Sequence, residues 1–361
     1  MKKLIAALLC TILFLGLLPV AAEKAEPTVS GDYEYVLLED GTAQITKYTG
    51  DAVTLEIAGE LDGHAVSSIG KSAFKPTGKL VDVTIPEGVT EICDGAFSFL
   101  PDLHSVKIPD SVTTVENDPF KNCLTLYSIE VSPDHPVLET VGGALYSKAE
   151  QRLICYPPVL PDKTYEIKPG TVIIDNRAFS TAPYLVEVYF PDSVTTIANS
   201  MFVNCAFLES ITVSPENPVL ESMDGILFVK EGHQLYCCPE HKNGEIYEIP
   251  QGTESIGEYA FRFCSFKEVI IPDSVTAINK NAFRGCAKLL TVTIPDSVTS
   301  IPDNVFRNCE NLASAIIPAS VTEISKNAFT GCDKIVFTVP AGSYAEQYCK
   351  ENSLNYVLAD N

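Results

Sequence analysis

Apolar residues return along this chain at a long fixed period. Phe74, Phe97, Phe120, Phe179, Phe202, Phe261, Phe283, Phe306 and Phe329 hold the same place in nine copies of one pattern, with successive gaps of 23, 23, 59, 23, 59, 22, 23 and 23 residues. Such a period marks a repeat array, in which each unit buries its apolar face on its neighbours. Each gap of 59 equals 23 plus 36, so two copies carry insertions of equal size. The insertions are related at an offset of 82 residues: Ser132-Pro133-Asp134-His135-Pro136-Val137-Leu138-Glu139 recurs as Ser214-Pro215-Glu216-Asn217-Pro218-Val219-Leu220-Glu221. Gly143, Cys155 and Pro157 recur as Gly225, Cys237 and Pro239, so one block has been duplicated.

Within the copy from Ile271 to Thr293 and on into the next, Leu289, Val292 and Ile294 have the spacing of a short strand that lines a coil. Alternation sends Val292 and Ile294 inward and Thr293 outward. Pro295 ends the strand because it has no N–H to donate. Asp296-Ser297 turns the chain, Val298 and Ile301 bring it back along an opposite wall, and Phe306 and Cys309 close the corner. Too few residues remain for a helix on each coil, so the predicted solenoid is thin.

The pattern I-P-x-S-V-T-x-I-x-x-x-A-F-x-x-C-x-x-L resembles the BspA-like leucine-rich-repeat family of exported bacterial surface proteins, and it covers nearly all of the chain beyond its first segment. The resemblance implies an α/β-type solenoid, mostly β, with parallel strands, two hairpin-bearing insertions and a small C-terminal helical cap. Residues from Tyr33 to Phe74 are similar to that family's opening unit. Gly143-Ala144-Leu145-Tyr146 and Asp224-Gly225-Ile226-Leu227-Phe228 are similar to its hairpin-bearing units. Family members are associated with adhesion to host proteins or to other cells. The expected organisation is a single domain over 23–361, with an N-terminal cap at 23–58, insertions at 132–165 and 214–247, and a C-terminal cap at 340–361.

The two ends carry signals of their own. Lys2 and Lys3, an apolar run from Leu4 to Leu18, and Pro19-Val20-Ala21-Ala22 describe a secretory signal peptide over 1–22. At the other end Ser343-Tyr344-Ala345-Glu346 matches a capping box. Tyr344, Ala345, Tyr348 and Cys349 then fall on one helical face that covers the last coil, with a final strand expected over Leu354–Leu358.

Composition narrows the function. With 46% apolar residues the chain has enough surface to bury and is not disordered. The formal charge of -22 becomes -24 when the two lysines of the signal are removed. Such a balance excludes gripping nucleic acid or anionic lipid by charge and favours a basic partner. Trp is absent. The 12 cysteines do not read as a disulfide scaffold, since Cys123, Cys205, Cys264, Cys286, Cys309 and Cys332 all stand three residues after the marker Phe. They stack on coils ~4.8 Å apart with parallel Cβ vectors, whereas a disulfide needs converging Cβ atoms about 3.8 Å apart. They read as buried, reduced corner residues. Neither a paired C-x-x-C nor a Cys–His cluster marks a metal site. His64, His104, His135, His233 and His241 lie in no catalytic motif, and His135 corresponds to Asn217 in a turn. Asp110, Asp192, Asp273 and Asp296 share the turn after the strand, where Asp is favoured for its own backbone hydrogen bonds.

What remains is surface. Strand alternation places Glu130, Glu187 and Glu268 outward among many Ser and Thr. It also places Tyr189, Ile270 and Ile316 outward, as the large apolar groups of an otherwise polar sheet. Solenoids bind through such faces. The reading is therefore a secreted, non-enzymatic binding or adhesion module without cofactor or metal. Its partner is a protein, in particular a basic host-matrix or cell-surface protein, and the mature chain has no membrane span. A structural spacer of a cell-surface layer and, further off, a secreted enzyme are the competing readings. Exported material should begin at Glu23, since Val20 and Ala22 supply the small residues of the cleavage site; N-terminal sequencing that finds Met1 retained contradicts this.

Overall fold

A computed structural model describes residues 26–75 and 78–359. The expected signal segment 1–22 lies outside the described residues. The chain winds into a mostly β solenoid whose coils have three sides. On the first, strands such as Thr291–Thr293 and Ser314–Ile316 run parallel, with Thr291 opposite Ser314 and Thr293 opposite Ile316. Parallel pairing follows from the repeat, because a full coil of chain intervenes before the next strand begins. Val292 and Ala315 point inward and are buried, as the alternation predicts. The second side carries two-residue strands, such as Ser300–Ile301 beside Glu323–Ile324. Between these sides the turn serine ties each coil to the one before: Ser111 donates to the Val89 carbonyl at 2.8 Å, and Ser320 to that of Val298 at 3.0 Å.

The third side has no strand or helix, only turns hung on the marker phenylalanines. Their rings stack from coil to coil, with centroids 4.9 Å apart for Phe261–Phe283, 5.3 Å for Phe283–Phe306 and 5.2 Å for Phe306–Phe329. Within a run the backbone N–H reaches the next coil, Phe261 to Ala282 O at 2.8 Å and Phe283 to Val305 O at 2.9 Å. The cysteine that follows binds backward. Cys123, Cys205 and Cys286 each donate from Sγ to the carbonyl of the preceding coil's phenylalanine (Phe97, Phe179 and Phe261) at 2.9 Å.

The insertions break this regularity. Each forms a three-stranded antiparallel meander: Leu138–Val141, Ala144–Ser147 and Arg152–Cys155 in the first, Leu220–Met223, Ile226–Val229 and Gln234–Cys237 in the second. The last strand of each pairs in parallel with the second side of the following coil, at Ile173–Ile174 and Ser255–Ile256. The N-terminal cap has the same plan. Thr28–Ser30, Tyr33–Leu37 and Ala43–Tyr48 form an antiparallel meander whose last strand pairs in parallel with His64–Ile69. All three meanders slip register at one matching point, after Glu34, Leu145 and Leu227. Each then supplies a substitute for the marker phenylalanine: the N–H of Tyr48, Tyr156 and Cys238 reaches Ala73, Ala178 and Ala260 O, at 2.8, 2.6 and 2.7 Å.

The insertions are thus internal copies of the N-terminal cap. The first-side sheet is cut accordingly into runs of 4, 3 and 6 strands, and the apolar core divides into three clusters meeting at the meanders. Side chains stitch the two seams. At the first, Arg152 donates from Nη2 to Val115 O at 2.7 Å and from Nη1 to Asp175 at 2.6 Å, and Arg177 pairs with Asp118 at 2.8 Å. At the second, Tyr236 donates to Ile197 O at 3.1 Å. Val115 and Ile197 each lie on the last second-side strand before a seam, where the ladder leaves a carbonyl unpaired.

The C-terminal lid is helix Tyr344–Glu351, whose N-cap Ser343 accepts from the Glu346 N–H at 3.1 Å. Three details differ from expectation. Glu346 reaches back to the N–H of Gly342, at 2.7 Å, because Ser343 N–H already bonds Pro340 O. Ala345, Tyr348 and Cys349 are buried but Tyr344 is exposed, since the buried face centres on an i, i+3, i+4 set that leaves the first residue at its margin. The last strand is shorter, Tyr356–Leu358, paired with Phe337–Val339.

Because the second insertion is a cap in its own right, residues 214–361 should fold alone, giving a single cooperative urea transition. A fragment starting at Glu245, which lacks the meander, should not. If both fragments fold equally well, the insertions are not caps.

Candidate functional site

The outward face of the first side holds the residues expected to bind a partner, and the seams distribute them over three sheets. Glu130 stands opposite Lys107 on the first. Glu187 and Tyr189 share a strand on the second, where Tyr189 lies between Glu166 and Thr212 and is half-buried. The Glu187 carboxylate accepts from the Thr212 hydroxyl at 2.9 Å. Glu268, Ile270 and Ile316 belong to the third and longest sheet. Glu268 is flanked by Ile246 and Thr291 there, Ile270 by Glu248, and Ile316 by Thr293. Ile270 and Ile316 are each 43% exposed, so only these two of the three apolar candidates are open.

The expectation that Tyr189, Ile270 and Ile316 are the sheet's large apolar groups needs correcting. Ile246, 56% exposed, and Val336, 37% exposed, lie on the same face of the longest sheet. Ile246 emerges straight from an insertion and Val336 belongs to the last coil, so neither precedes a clean Ile-Pro-Asp turn. The usable signal was Ile249-Pro250 and Val339-Pro340, which stand at the strand-ending place of the pattern and so put the residue three before the apolar one outward.

His135, Asn217 and the cysteines take part in the packing of the coils. All described cysteines are free, and burial raises the thiol of Cys123 to about 12. His135 is fully buried, its Nδ1 accepting the N–H groups of Val137 and Leu138 at 3.2 and 3.0 Å and its Nε2 meeting Pro109 O at 3.0 Å. Asn217 does the same in the second insertion, Oδ1 accepting from Val219 and Leu220 at 2.9 and 2.7 Å and Nδ2 donating to Pro191 O at 2.9 Å. The imidazole is a neutral replacement for an amide, with its proton on Nε2. Asp110, Asp192, Asp273 and Asp296 are exposed in their turns. Among the described residues no group of three or more His, Cys, Asp or Glu is placed to hold a metal ion.

Each seam leaves a notch on the third side. The second, about 30 Å³, is lined by Phe202, Tyr236, Cys237, Glu240, Tyr259 and Arg262; its counterpart at the first seam is about 20 Å³. Such volumes admit water and exclude an organic ligand. Glu240 accepts from the Asn204 N–H at 3.0 Å across the seam. Burial pushes its carboxyl up to about 7, against the opposite pull of that N–H and of Arg262. Burial likewise pushes Asp175 at the first seam up to about 6, against Arg152.

A family model described as the BspA type leucine rich repeat region matches the chain in six copies, over residues 63–149, 163–225 and 235–355. Among solved structures, a leucine rich cell surface protein from Faecalibacterium prausnitzii is 25% identical and superposes with a TM-score of 0.61, covering 94% of this chain and 97% of that one. A leucine-rich repeat protein from Eubacterium ventriosum is 20% identical, with a TM-score of 0.54 over 86% of this chain and 83% of that one. No curated protein matches the chain in sequence.

The buried carboxyls set a pH dependence. The fold holds the Glu240 proton up to about 7, whereas the unfolded chain releases it near the ordinary 4.5. Stability therefore falls as pH rises through that window, and Asp175 acts in the same direction between 3.8 and about 6. Urea unfolding should show lower stability at pH 8 than at pH 5, and Glu240→Gln should remove the part of the loss above pH 6. An unchanged profile in that variant contradicts the assignment.

Proposed function

Because the chain belongs to the BspA-type leucine-rich repeat family, we propose that it is an exported, non-enzymatic module that binds a protein partner at the bacterial surface through the outward face of its longest sheet. One observation carries the choice of face: Ile246, Ile270, Ile316, Val336 and Val357 put apolar side chains on a sheet otherwise lined by Ser, Thr and Glu. An anchor of this kind gives most of its binding energy when a partner desolvates it, and the polar surroundings keep the free face soluble. The overall charge of -22 steers a basic partner toward the protein, such as a host-matrix or cell-surface protein, and disfavours nucleic acid. Export rests on the signal at 1–22, and surface placement on the kinship with bacterial cell-surface proteins. No helix among the described residues is long and apolar enough to cross a membrane.

Binding to a panel of immobilised basic matrix proteins tests the face. Ile270→Ala and Ile316→Ala should each weaken capture by more than tenfold, since a truncated anchor costs more than about 1.4 kcal/mol. Their stability should change by less than about 0.5 kcal/mol, as expected for exposed positions. Tyr189→Ala, on a separate and more covered strand, should have a smaller effect. Removing the charge of Glu130, Glu187 or Glu268 should slow association at low salt and matter less as salt rises. Charge reversals at Lys280 and Lys326 should leave affinity unchanged. If those reversals abolish capture while the isoleucine variants bind normally, the sheet is not the binding face.

A further inference from the structure

The chain has five arginines, and three of them, Arg262, Arg284 and Arg307, directly follow the marker phenylalanine in three consecutive coils of the third side. The coils are held in register there, with Phe263 N–H on Arg284 O at 3.1 Å and Gly285 N–H on Arg307 O at 2.8 Å. The stacked rings beneath, 4.9 and 5.3 Å apart, set one arginine about every 5 Å. The other two arginines are paired at the first seam, Arg152 with Asp175 beside it and Arg177 with Asp118 across it. Among the described residues none of the three stacked arginines has a carboxylate within ion-pair distance, in a chain with 47 acidic residues and 25 lysines and arginines.

The surroundings are as selective as the column. Asn281 and Asn304 border it on one side, Gly285 and Asn308 on the other, and none of these is charged. The nearby Glu240 and Asp303 carboxylates are occupied by Asn204 and by Ser325 and Asn327. Nε of Arg262 and of Arg307 is buried without a hydrogen-bond partner. Arg307 spends one Nη on Asn304 Oδ1 at 3.2 Å. Three like charges one coil apart repel one another, and Glu240, which lines the same notch as Arg262, offsets charge at that end of the column without forming an ion pair.

At the upper end of the column an aromatic platform adjoins the charge. The Arg262 guanidinium carbon lies 4.6 Å from the Phe263 ring centre and 5.5 Å from that of Tyr259. Phe263 is exposed although its backbone is left-handed (φ 60°), a conformation that costs a bulky residue and that the neighbouring coils assign to Gly285 and Asn308. Its ring fills the space over Gly285, where a Cβ would come within 2.3 Å of it.

From this arrangement we infer a second binding site on the third side, for a linear acidic polysaccharide whose carboxylate or sulfate groups recur with each sugar. The planar guanidinium fork matches both anions in a bidentate manner, and the ring faces of Phe263 and Tyr259 offer a stacking surface for one sugar. An extended acidic peptide fits less well. Its same-side groups recur about every 6.6 Å along a strand, out of step with coils about 5 Å apart. The site is separate from the sheet face and does not depend on it.

Affinity electrophoresis or titration calorimetry with polygalacturonate, heparin and poly-glutamate of matched charge tests the inference on the full mature chain. Both polysaccharides should bind, more weakly as salt rises, and poly-glutamate should bind at least tenfold more weakly. Arg284→Gln should lower polysaccharide affinity at least tenfold, and Arg262→Gln/Arg284→Gln/Arg307→Gln should abolish it. Arg284→Lys, which keeps the charge and the packing but loses the fork, should fall between wild type and Gln. The control Lys75→Gln/Lys107→Gln/Lys121→Gln removes the same charge from the first coils and should bind as wild type. Equal binding of poly-glutamate, equal losses in the lysine control, or full binding by a folded arginine triple variant would each overturn the assignment. Ile270→Ala should leave polysaccharide binding intact, which separates failure here from failure of the sheet reading.

Discussion

The stack of phenylalanines on the third side fixes everything else in the molecule, because that side has no sheet to hold it. A coil of about 23 residues closes on itself only if the corner opposite the strands is filled and fastened. The marker ring fills it, packed against its equivalents about 5 Å away, an arrangement worth roughly 0.5–1.5 kcal/mol per pair beyond simple burial. The backbone N–H of the same residue reaches forward one coil, and the thiol three residues on reaches back one coil. A cysteine suits the place: it is small and apolar enough for a crowded corner and still carries a weak donor for a buried carbonyl. Disulfides between neighbouring coils would pull this register apart, and all described thiols are free.

The repeat made the coils legible in advance. Positions that must face inward recur at one spacing, so alternation assigned the buried and outward residues of strands such as Thr291–Thr293 and Ser314–Ile316 correctly. The caps were harder. Gly31-Asp32-Tyr33, Gly142-Gly143-Ala144 and Asp224-Gly225-Ile226 lead into the same strand of three equivalent meanders, yet they share little beyond a first residue with positive φ. Each meander is built from antiparallel partners within itself, so its residues owe nothing to the coil period, and only the offset of 82 betrayed two of the three as copies. Tyr344 was misplaced for a related reason. One short helix has no neighbour of its own kind to fix its rotation.

Separation of inward from outward residues also separates stability from recognition. The inward set is nearly invariant from coil to coil because each coil must fit the last. The outward set is free to vary, and its departures from Ser, Thr and Asn stand out: isoleucines on the longest sheet, arginines on the third side. Both departures fall in the same run of coils, beyond the second seam, which is the longest uninterrupted stretch and offers the most rigid platform.

Backbone amide exchange on the full chain examines the central claim, that the phenylalanine column fastens the coils and is interrupted at two seams, most directly. The account predicts that the amides of Phe97, Phe283 and Phe306, which donate to the next coil, exchange slowest. Faster exchange should appear in the meanders at 132–155 and 214–237, with the three runs opening separately. Uniform protection across both insertions, lost in one global opening, would contradict it.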